Sequence, residues 1–570
     1  LPQPTTVSTK LQVDLYPKQR KATISGTYQL VNNSALPIDS ILLSTVSSVL
    51  TQGININKPA KLVKSGSTAT DMVYVLANAL HPGDSVRINF KVQYESKGFT
   101  NGGVESLVVA NGTYFTNRHL LPVVGFQLYR CLSDVSLRKV HGLPPRPILP
   151  SLYNVEARNS LYLADQTAVE TIVSTDADQV AIGPGRLHRT WTAAGRRYFH
   201  YATNAPIPNQ YAFFSARYAV HELKWNNVTI QVYHQPSHTA NLSSMLSGAR
   251  SALDYYTRQF GPYPYDVFRL VEHPGYGSGM HAEASTIDYQ EGFSLLDPTD
   301  SNAYNLPFYI VAHEAAHQWW GAAQQLPARV EGAFVMTETF AVFTGMQVLE
   351  ERYGNEHLQR YLTEIRKTYE VPRNKAAVPL LRARDQYQGY RKGPFALYAL
   401  SKYIGREAVN RALKSLLAKY GSGKPPLPTT LDLYRELKAI TPDSLQYLLR
   451  DLFEVNTYWD LKTDKATATQ TKDGMWQVTL MVQANKNVVD ERGKETHIPM
   501  DDWIEVGVFA APEKGVELGK VLFMQKFRIR TGPQTFTVTV ANKPAQAGID
   551  PENLLIDLKV YDNKKKIKIE

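Results

Sequence analysis

The sequence has little cysteine and no long hydrophobic run. Its 570 residues include one cysteine, Cys131, which excludes an intramolecular disulfide and any metal site built from several cysteines. No stretch approaches the roughly 18 uninterrupted apolar residues of a membrane-spanning helix. The excess of positive over negative charge is also small, since 62 basic and 52 acidic residues leave a net charge of only +10. This mild excess argues against a nucleic-acid partner, which would need the positive charge concentrated on one surface.

The hydrophobic pattern changes twice along the chain. Hydrophobic residues make up 43% of it, which is ordinary for a globular protein and excludes a mainly disordered chain. The first 200 or so residues alternate with a period of two, as in Val86 to Tyr94, and this pattern predicts β-strands. Helical spacing begins near residue 240 and lasts to about residue 457, after which strand-like alternation returns, as in Trp476 to Val482.

These changes predict a multidomain α+β protein. We expect an N-terminal β domain at 1–218, an α/β domain at 219–458 and a C-terminal β-sandwich at 459–570. The chain begins at Leu1 rather than Met and shows no signal-peptide pattern. We therefore expect it to be a processed or excised piece of a longer protein.

Residues 313–317 read His-Glu-Ala-Ala-His within an apolar, helix-compatible run. Positions i and i+4 share one face of a helix, so His313 and His317 can hold one metal ion between their imidazoles. Glu314 can reach a water on that metal without being a ligand itself. Because zinc lowers the pKa of such a water to roughly 7, a nearby carboxylate can take its proton. The spacing predicts a metal site with Glu314 as the base.

A catalytic zinc needs a third protein ligand, and a carboxylate is the remaining choice. The downstream acids are Glu331, Glu338, Glu350 and Glu351. Glu338 is favoured because it opens a second helical pattern, and the first turn of a packed helix holds a ligand rigidly. Glu331 stays the alternative, in a less constrained stretch before Gly332.

The His-Glu-x-x-His motif followed by a helical Glu resembles the gluzincin metallopeptidases. The run from His313 to Gly321 resembles the aminopeptidase N family in particular, in which Gln-Trp and an aromatic residue follow the second His, as at 318–320. The family's third ligand lies in an Asn-Glu-Gly-Phe-Ala-like segment, which residues 337–341 resemble. One departure is the spacing, because 20 residues, 318–337, separate His317 from Glu338, two more than the family usually has.

Two further segments resemble elements of that family. Residues 390–393 are similar to its Tyr-x-Lys-Gly element, which implies that Tyr390 stabilises the oxyanion of the reaction. The usual Gly-x-Met-Glu-Asn strand is altered here: Gly279 and Met280 match, and we expect them to contact substrate, but His281 follows Met280. Glu283, two positions later, is the predicted anchor for the α-amine of a peptide.

The resemblance implies a thermolysin-like catalytic domain with one zinc ion per chain and a zinc-dependent aminopeptidase that acts on peptides. Two alternatives stay open. The first is a zinc endopeptidase with an open cleft, since the residues after Trp459 read as β where large relatives have a helical cap. The second is a non-catalytic peptide-binding module of a membrane assembly.

The Pro-rich segment at 141–147 and the run from Tyr390 to Leu400 resemble bacterial relatives linked to transporter-type membrane segments. This resemblance implies a location at the extracytoplasmic face of a bacterial membrane. Attachment would pass through a segment absent from this chain. The sequence does not indicate an oligomeric state.

Overall fold

The architecture is taken from a computed structural model of the chain. It describes residues 2–65, 70–96, 107–127, 132–144, 149–159, 165–275, 279–296, 304–369, 378–512, 518–557 and 559–570. Cys131 and part of the Pro-rich segment at 141–147 lie outside the described residues.

The first part of the chain is mostly β, as its alternating pattern predicts. Its helices are α1 (Asn117–Leu120), α2 (Val135–Val140) and α3 (Val155–Arg158). Its strands are β1 (Thr5–Tyr16), β2 (Lys21–Val31), β3 (Ile38–Ser44), β4 (Val49–Ile56), β5 (Ala60–Ser65), β6 (Asp71–Leu80), β7 (Ser85–Glu95), β8 (Thr113–Thr116), β9 (Val123–Val124), β10 (Gln166–Asp176), β11 (Val180–Ile182), β12 (Arg186–Ala193), β13 (Arg196–Ala202), β14 (Ile207–Pro208) and β15 (Ala212–Ala216).

These strands form three sheets. The largest has the order β12-β13-β10-β1-β2-β7-β4, with β14 beside β10, and the second has the order β5-β6-β3-β9. A small sheet has the order β11-β15-β8. It lies next to the mixed sheet of the middle of the chain, because Tyr114 of β8 contacts Asp288 in that sheet. In β7, Val86, Ile88 and Phe90 are buried and alternate with exposed residues, so the predicted strand is confirmed.

The middle of the chain combines one mixed sheet with most of the helices. The strands are β16 (Ala219–Trp225), β17 (Val228–His234), β18 (Val267–His273), β19 (Met280–Glu283) and β20 (Thr286–Gln290), in the order β16-β17-β18-β20-β19. The helices are α4 (Leu242–Gln259), α5 (Leu306–Ala316), α6 (Phe340–Tyr353), α7 (Asn355–Tyr369), α8 (Gly393–Ile404), α9 (Arg406–Tyr420), α10 (Thr430–Ile440) and α11 (Gln446–Phe453). The described strand β19 lies at the edge of this sheet, and it is the strand nearest to α5.

The last part of the chain returns to β. Its strands are β21 (Thr457–Gln470), β22 (Trp476–Val489), β23 (Glu495–Ile498), β24 (Asp501–Phe509), β25 (Val521–Arg530), β26 (Gly532–Val540), β27 (Gln546–Ile549), β28 (Lys564–Lys566) and β29 (Lys568–Ile569). They form two sheets, one with the order β23-β22-β21-β29 and β26 beside β22, the other with the order β25-β24-β27-β28. Their inward-facing residues share one buried cluster, as in a sandwich.

The predicted α+β class is confirmed, whereas the exact domain limits stay a prediction. The helical middle and the C-terminal sandwich are not separated by solvent, because their apolar side chains belong to one continuous core. The N-terminal sheets have a core of their own.

Among the helices of the described ranges, none is long and apolar enough to cross a membrane.

Candidate metal centre

Helix α5 carries the two histidines, and its beginning is specified locally. The side chain of Asn305 accepts a hydrogen bond from the backbone N–H of Phe308 at 3.0 Å, and Pro307 follows in the first turn. Both features favour a helix start at this point. The helix ends at Ala316, and His317 lies at its C-cap with helical backbone angles. The predicted i, i+4 arrangement therefore holds, with the two imidazole rings 5.1 Å apart.

Glu338 joins the two histidines, as predicted. Its Oε2 atom lies 3.5 Å from Nε2 of His313 and 3.5 Å from Nε2 of His317. The three side chains form a group of metal-type donors within 4.8 Å of one another. Burial acts to raise the pKa of Glu338, but the two facing imidazoles outweigh it and hold the pKa well below its usual range. The carboxylate is therefore anionic and available as a ligand.

The spacing of the three donors fits zinc. Bond lengths of about 2.1 Å and tetrahedral angles place neighbouring ligand atoms about 3.4 Å apart. The two measured separations of 3.5 Å match this value, and they are longer than a good N–H···O hydrogen bond. Nδ1 of His317 lies 2.9 Å from the carbonyl oxygen of Trp320 and donates to it, which leaves Nε2 for the metal. The chemistry and the geometry of the donor set both suit a zinc ion.

Glu331 has a different partner set. Its carboxylate accepts hydrogen bonds from Arg382 at 3.0 Å and from Arg384 at 2.8 Å, and it is buried. Burial acts to raise its pKa, but the hydrogen bonds from these two guanidinium groups outweigh it and lower the pKa. With its oxygens engaged in these ion pairs, Glu331 anchors a loop rather than the metal.

Glu314 lies beside the three donors without belonging to them. Its Oε1 atom is 3.9 Å from Nε2 of His313, and the residue is only 8% exposed. Burial is the main cause that raises the pKa of its carboxyl group. A raised pKa makes a carboxylate a stronger base, so the position and the environment both suit proton transfer.

Glu338 and Tyr390 both lie in π-helical turns, which the sequence patterns did not predict. The first turn spans Val335–Thr339 and precedes α6, and the second spans Gln388–Lys392 and precedes α8. Such turns widen the helix by one residue and are frequent at functional sites. Here each one carries a residue that faces the metal position.

Tyr390 reaches the metal centre from the second turn. Its ring lies 6.1 Å from the ring of His313 and 6.3 Å from that of Phe334. Burial and the negative charge of Glu338 raise the pKa of the Tyr390 hydroxyl. The phenol therefore stays protonated and can donate a hydrogen bond, as its predicted role requires.

The two π-helical turns are joined by one buried hydrogen bond. The hydroxyl of Thr339 donates to the carbonyl oxygen of Gly389 at 2.7 Å, and Thr339 has no solvent exposure. A Cβ atom added at Gly393 would lie 2.1 Å from the Thr339 hydroxyl oxygen, and one at Gly389 would lie 2.7 Å from the Phe334 ring. Glycine at both positions thus lets the turns that carry Glu338 and Tyr390 approach each other.

Lys392 ties the second turn to the C-terminal sandwich. Its ammonium group is buried, donates to the side chain of Asn456 and lies 4.7 Å from the ring centre of Tyr458 in β21. Asn456 in turn donates to the carbonyl oxygen of Val489 at 3.2 Å. Burial lowers the pKa of Lys392 to about 7. The C-terminal sandwich therefore supports the turn that positions Tyr390.

The altered strand is β19, and it places Glu283 inside the protein rather than in a loop. Glu283 is 5% exposed, and its Oε2 atom has no hydrogen-bond partner among the described residues. Its pKa is raised well above the usual value, mainly by burial and then by the charges of Asp288 and Glu314. Gln318 of α5's C-terminal extension donates to the Glu283 carbonyl oxygen at 2.9 Å and so fastens β19 to the metal helix.

The remaining predicted residues of this strand differ in exposure. Met280 is buried in the main core, whereas Gly279 is exposed with open space around it. Residues 276–278, which complete the resemblance, lie outside the described residues. A substrate contact of Gly279 stays a prediction, and the Met280 side chain serves packing.

A hydrogen-bonded cluster beside β19 was missed by sequence reasoning. Asp288 of β20 is fully buried, and its Oδ2 atom lies 3.0 Å from Nε2 of His273 and 3.1 Å from Nδ1 of His281. The hydroxyl of Tyr114 donates to the other carboxylate oxygen at 3.3 Å, and its ring stacks on His273 at 4.0 Å. The available signal was an acid inside the apolar strand at 286–290. Its partners come from three distant segments.

The site therefore joins a His-Glu-x-x-His helix to a helical Glu that could serve as the third ligand. Residues 245–452 match the Peptidase family M1 domain. Curated relatives include Aminopeptidase 2 of Candida albicans, 26% identical over 37% of this chain and 24% of that protein. Aminopeptidase N of Lactobacillus delbrueckii is 32% identical over 17% of this chain and 12% of that protein. The chain thus matches a quarter or less of the length of these relatives.

Solved structures show the same fold. The M1 zinc metallopeptidase from Deinococcus radiodurans aligns with 79% of this chain and 93% of its own at a TM-score of 0.54 and 16% identity. A mutant of that protein bound to a Tyr-Ser-Ala substrate gives the same TM-score of 0.54, at 17% identity. The sequence match thus assigns residues 245–452 to a Peptidase family M1 domain, and the solved structures support the fold.

We predict that Glu338→Ala removes the metal and Glu331→Ala does not, because only Glu338 converges with the two imidazoles. Zinc per purified chain, measured by elemental analysis, should fall from about one to near zero in the first variant. Circular dichroism checks that both variants stay folded. Metal loss in Glu331→Ala with retention in Glu338→Ala would reassign the third ligand.

We also predict that Thr339→Val lowers kcat, because the lost hydrogen bond lets the turn that carries Tyr390 shift. A shift of about 1 Å would lower kcat by about 100-fold. The substitution keeps the shape of the side chain but removes the hydrogen bond to Gly389, whereas Thr339→Ser keeps the hydroxyl and should restore activity. Zinc content and KM should change little. An equal effect of the two variants would show that packing, not the hydrogen bond, matters at this position.

Proposed function

We propose that the protein is a zinc-dependent aminopeptidase. The observation that carries the proposal is the convergence of His313, His317 and Glu338, with the Glu314 carboxylate 3.9 Å from the first imidazole. The match to the M1 domain and the curated aminopeptidases that resemble this chain support the same activity.

The protein's own groups divide the proton transfers between them. When bound, zinc supplies a coordinated water of lowered pKa and polarises the scissile carbonyl. Glu314 takes a proton from the attacking water and later delivers it to the leaving amine. The hydroxyl of Tyr390 donates to the carbonyl oxygen as negative charge develops there.

Glu283 is the proposed anchor for the substrate's α-amine. Its free carboxylate oxygen is buried among the negative charges of Asp288 and Glu314. The same field that favours a proton on Glu283 favours a positively charged ammonium group beside it. A free N-terminus would thus find a partner that a blocked one would not.

The alternatives differ in what they need at the amine end of the cleft. A zinc endopeptidase would use the same metal and base but would not need Glu283. A peptide-binding module without catalysis would not need Glu314 beside the metal.

Location at the extracytoplasmic face of a bacterial membrane rests on the sequence resemblance alone and would be tested by cell fractionation.

Paired peptides with free and acetylated N-termini test the function directly. We expect cleavage of the free form only, and loss of that cleavage when a chelator removes the metal. Chromatography of the products measures both. Cleavage of both forms would establish an endopeptidase, and binding without cleavage of either form would favour the binding module.

Glu314→Gln tests the proton transfer. We expect the variant to keep zinc and to lose at least about 1,000-fold in kcat, because an amide cannot accept the proton of the water. Glu291→Gln, an acid at the start of a short helical turn outside the metal centre, is the matched control. Retained turnover in Glu314→Gln with zinc bound would remove Glu314 from the mechanism.

A further inference from the structure

His281 occupies an unusual position for a histidine with a buried acidic partner. It projects from the edge strand β19, and its side chain is 66% exposed, although Asp288, to which it is bonded, has no exposure. His281 and Asp288 are directly opposed in the register of β19 and β20. The exposed imidazole is therefore held at one end, through Nδ1, while Nε2 lies at its outer end.

Asp288 does not depend on His281 for its own hydrogen bonds. The other partners, His273 at 3.0 Å and Tyr114 at 3.3 Å, already serve both carboxylate oxygens. His273 is in turn fixed by the carbonyl oxygen of Pro274 and by the Tyr114 ring. The group of Asp288, His273 and Tyr114 is thus a rigid support that orients the His281 ring. In the protonated ring, Nε2 is an outward-facing N–H donor.

The environment of the ring favours its protonated form. The hydrogen bond that His281 donates to Asp288 is the main cause that raises the pKa of His281, and the charges of Asp288, Glu314 and Glu338 add to it. His281 lies on β19, the strand nearest to α5, and Gln318 fastens this strand to the metal helix. A positively charged donor at this place suits an anionic acceptor on a substrate.

Glu283 lies on the same face of the same strand. Residues two apart in a strand point to one side and are separated by about 6.6 Å. The α-amine and the side-chain carboxylate of an extended Glu residue are about 5 Å apart by covalent geometry, and charge-assisted hydrogen bonds add about 2.8 Å at each end. An acidic N-terminal residue therefore carries its two charged groups at a spacing of the same order as that of Glu283 and His281 along the strand.

We propose that His281 is a specificity-determining residue that binds the side-chain carboxylate of an acidic N-terminal residue. Peptides that begin with Glu or Asp are then the preferred substrate class. The proposal rests on the proposed aminopeptidase function in one respect, namely that Glu283 receives the α-amine. Peptides that begin with Gln or Asn lack the negative charge that His281 would bind. Peptides that begin with Lys or Arg would bring a positive charge next to the protonated imidazole.

Binding measurements test this inference without turnover. The zinc-loaded Glu314→Gln protein is titrated by calorimetry with Glu-Ala-Ala and Gln-Ala-Ala. We expect the acidic peptide to bind about tenfold more tightly. With His281→Gln added, the two peptides should bind equally, and the affinity for Gln-Ala-Ala should stay unchanged. His497→Gln, which removes an exposed histidine from the C-terminal sandwich, should keep the preference.

A second readout uses the protein with Glu314 intact. The ratio of kcat/KM for Glu-Ala-Ala to that for Gln-Ala-Ala should fall to about one in His281→Gln. Equal binding of the two peptides before the His281 change, or a preference that survives it, would overturn the proposal. A protein that prefers the acidic peptide but does not cleave free N-termini would refute the aminopeptidase function and leave this inference standing.

Discussion

Two imidazoles from one helix and a carboxylate from another converge at 3.5 Å inside the protein. Burying a charged carboxylate costs free energy that a facing cation or metal can offset, and for Glu338 the facing groups are His313 and His317. Their mutual position depends on how α5 packs on α6, and that packing is set by a continuous apolar core. The site is therefore as rigid as the core around it.

The two π-helical turns show how local irregularity serves this convergence. A regular helix through 335–339 or 388–392 would rotate Glu338 or Tyr390 away from the metal position by part of a turn. The bond between Thr339 and Gly389 keeps the two turns in contact, and two glycines remove the side chains that would separate them. The buried Lys392 extends this arrangement to the C-terminal sandwich. The C-terminal sandwich thus supports the position of Tyr390.

The edge strand β19 carries an acidic and a basic side chain on one face. Glu283 is buried with a free oxygen, and His281 is exposed with its inner nitrogen held by Asp288. A peptide's terminal ammonium and an acidic side chain have the complementary charges. The small N-terminal sheet takes part, because Tyr114 of β8 closes the cluster around Asp288. The small N-terminal sheet therefore meets the mixed sheet beside the strand that carries Glu283 and His281.

The sequence by itself determined the α+β class, the helix that carries His313, Glu314 and His317, and the choice of Glu338 over Glu331. These follow from periodicity and spacing, which depend on a few neighbouring residues and on a resemblance between short segments. Only the tertiary structure decided that Glu331 is held by two arginines and that Glu283 is buried. It alone also brought Tyr114, His273 and His281 together around Asp288. Such contacts join residues up to 174 positions apart in the chain, and no local pattern records which distant side chain will become a neighbour.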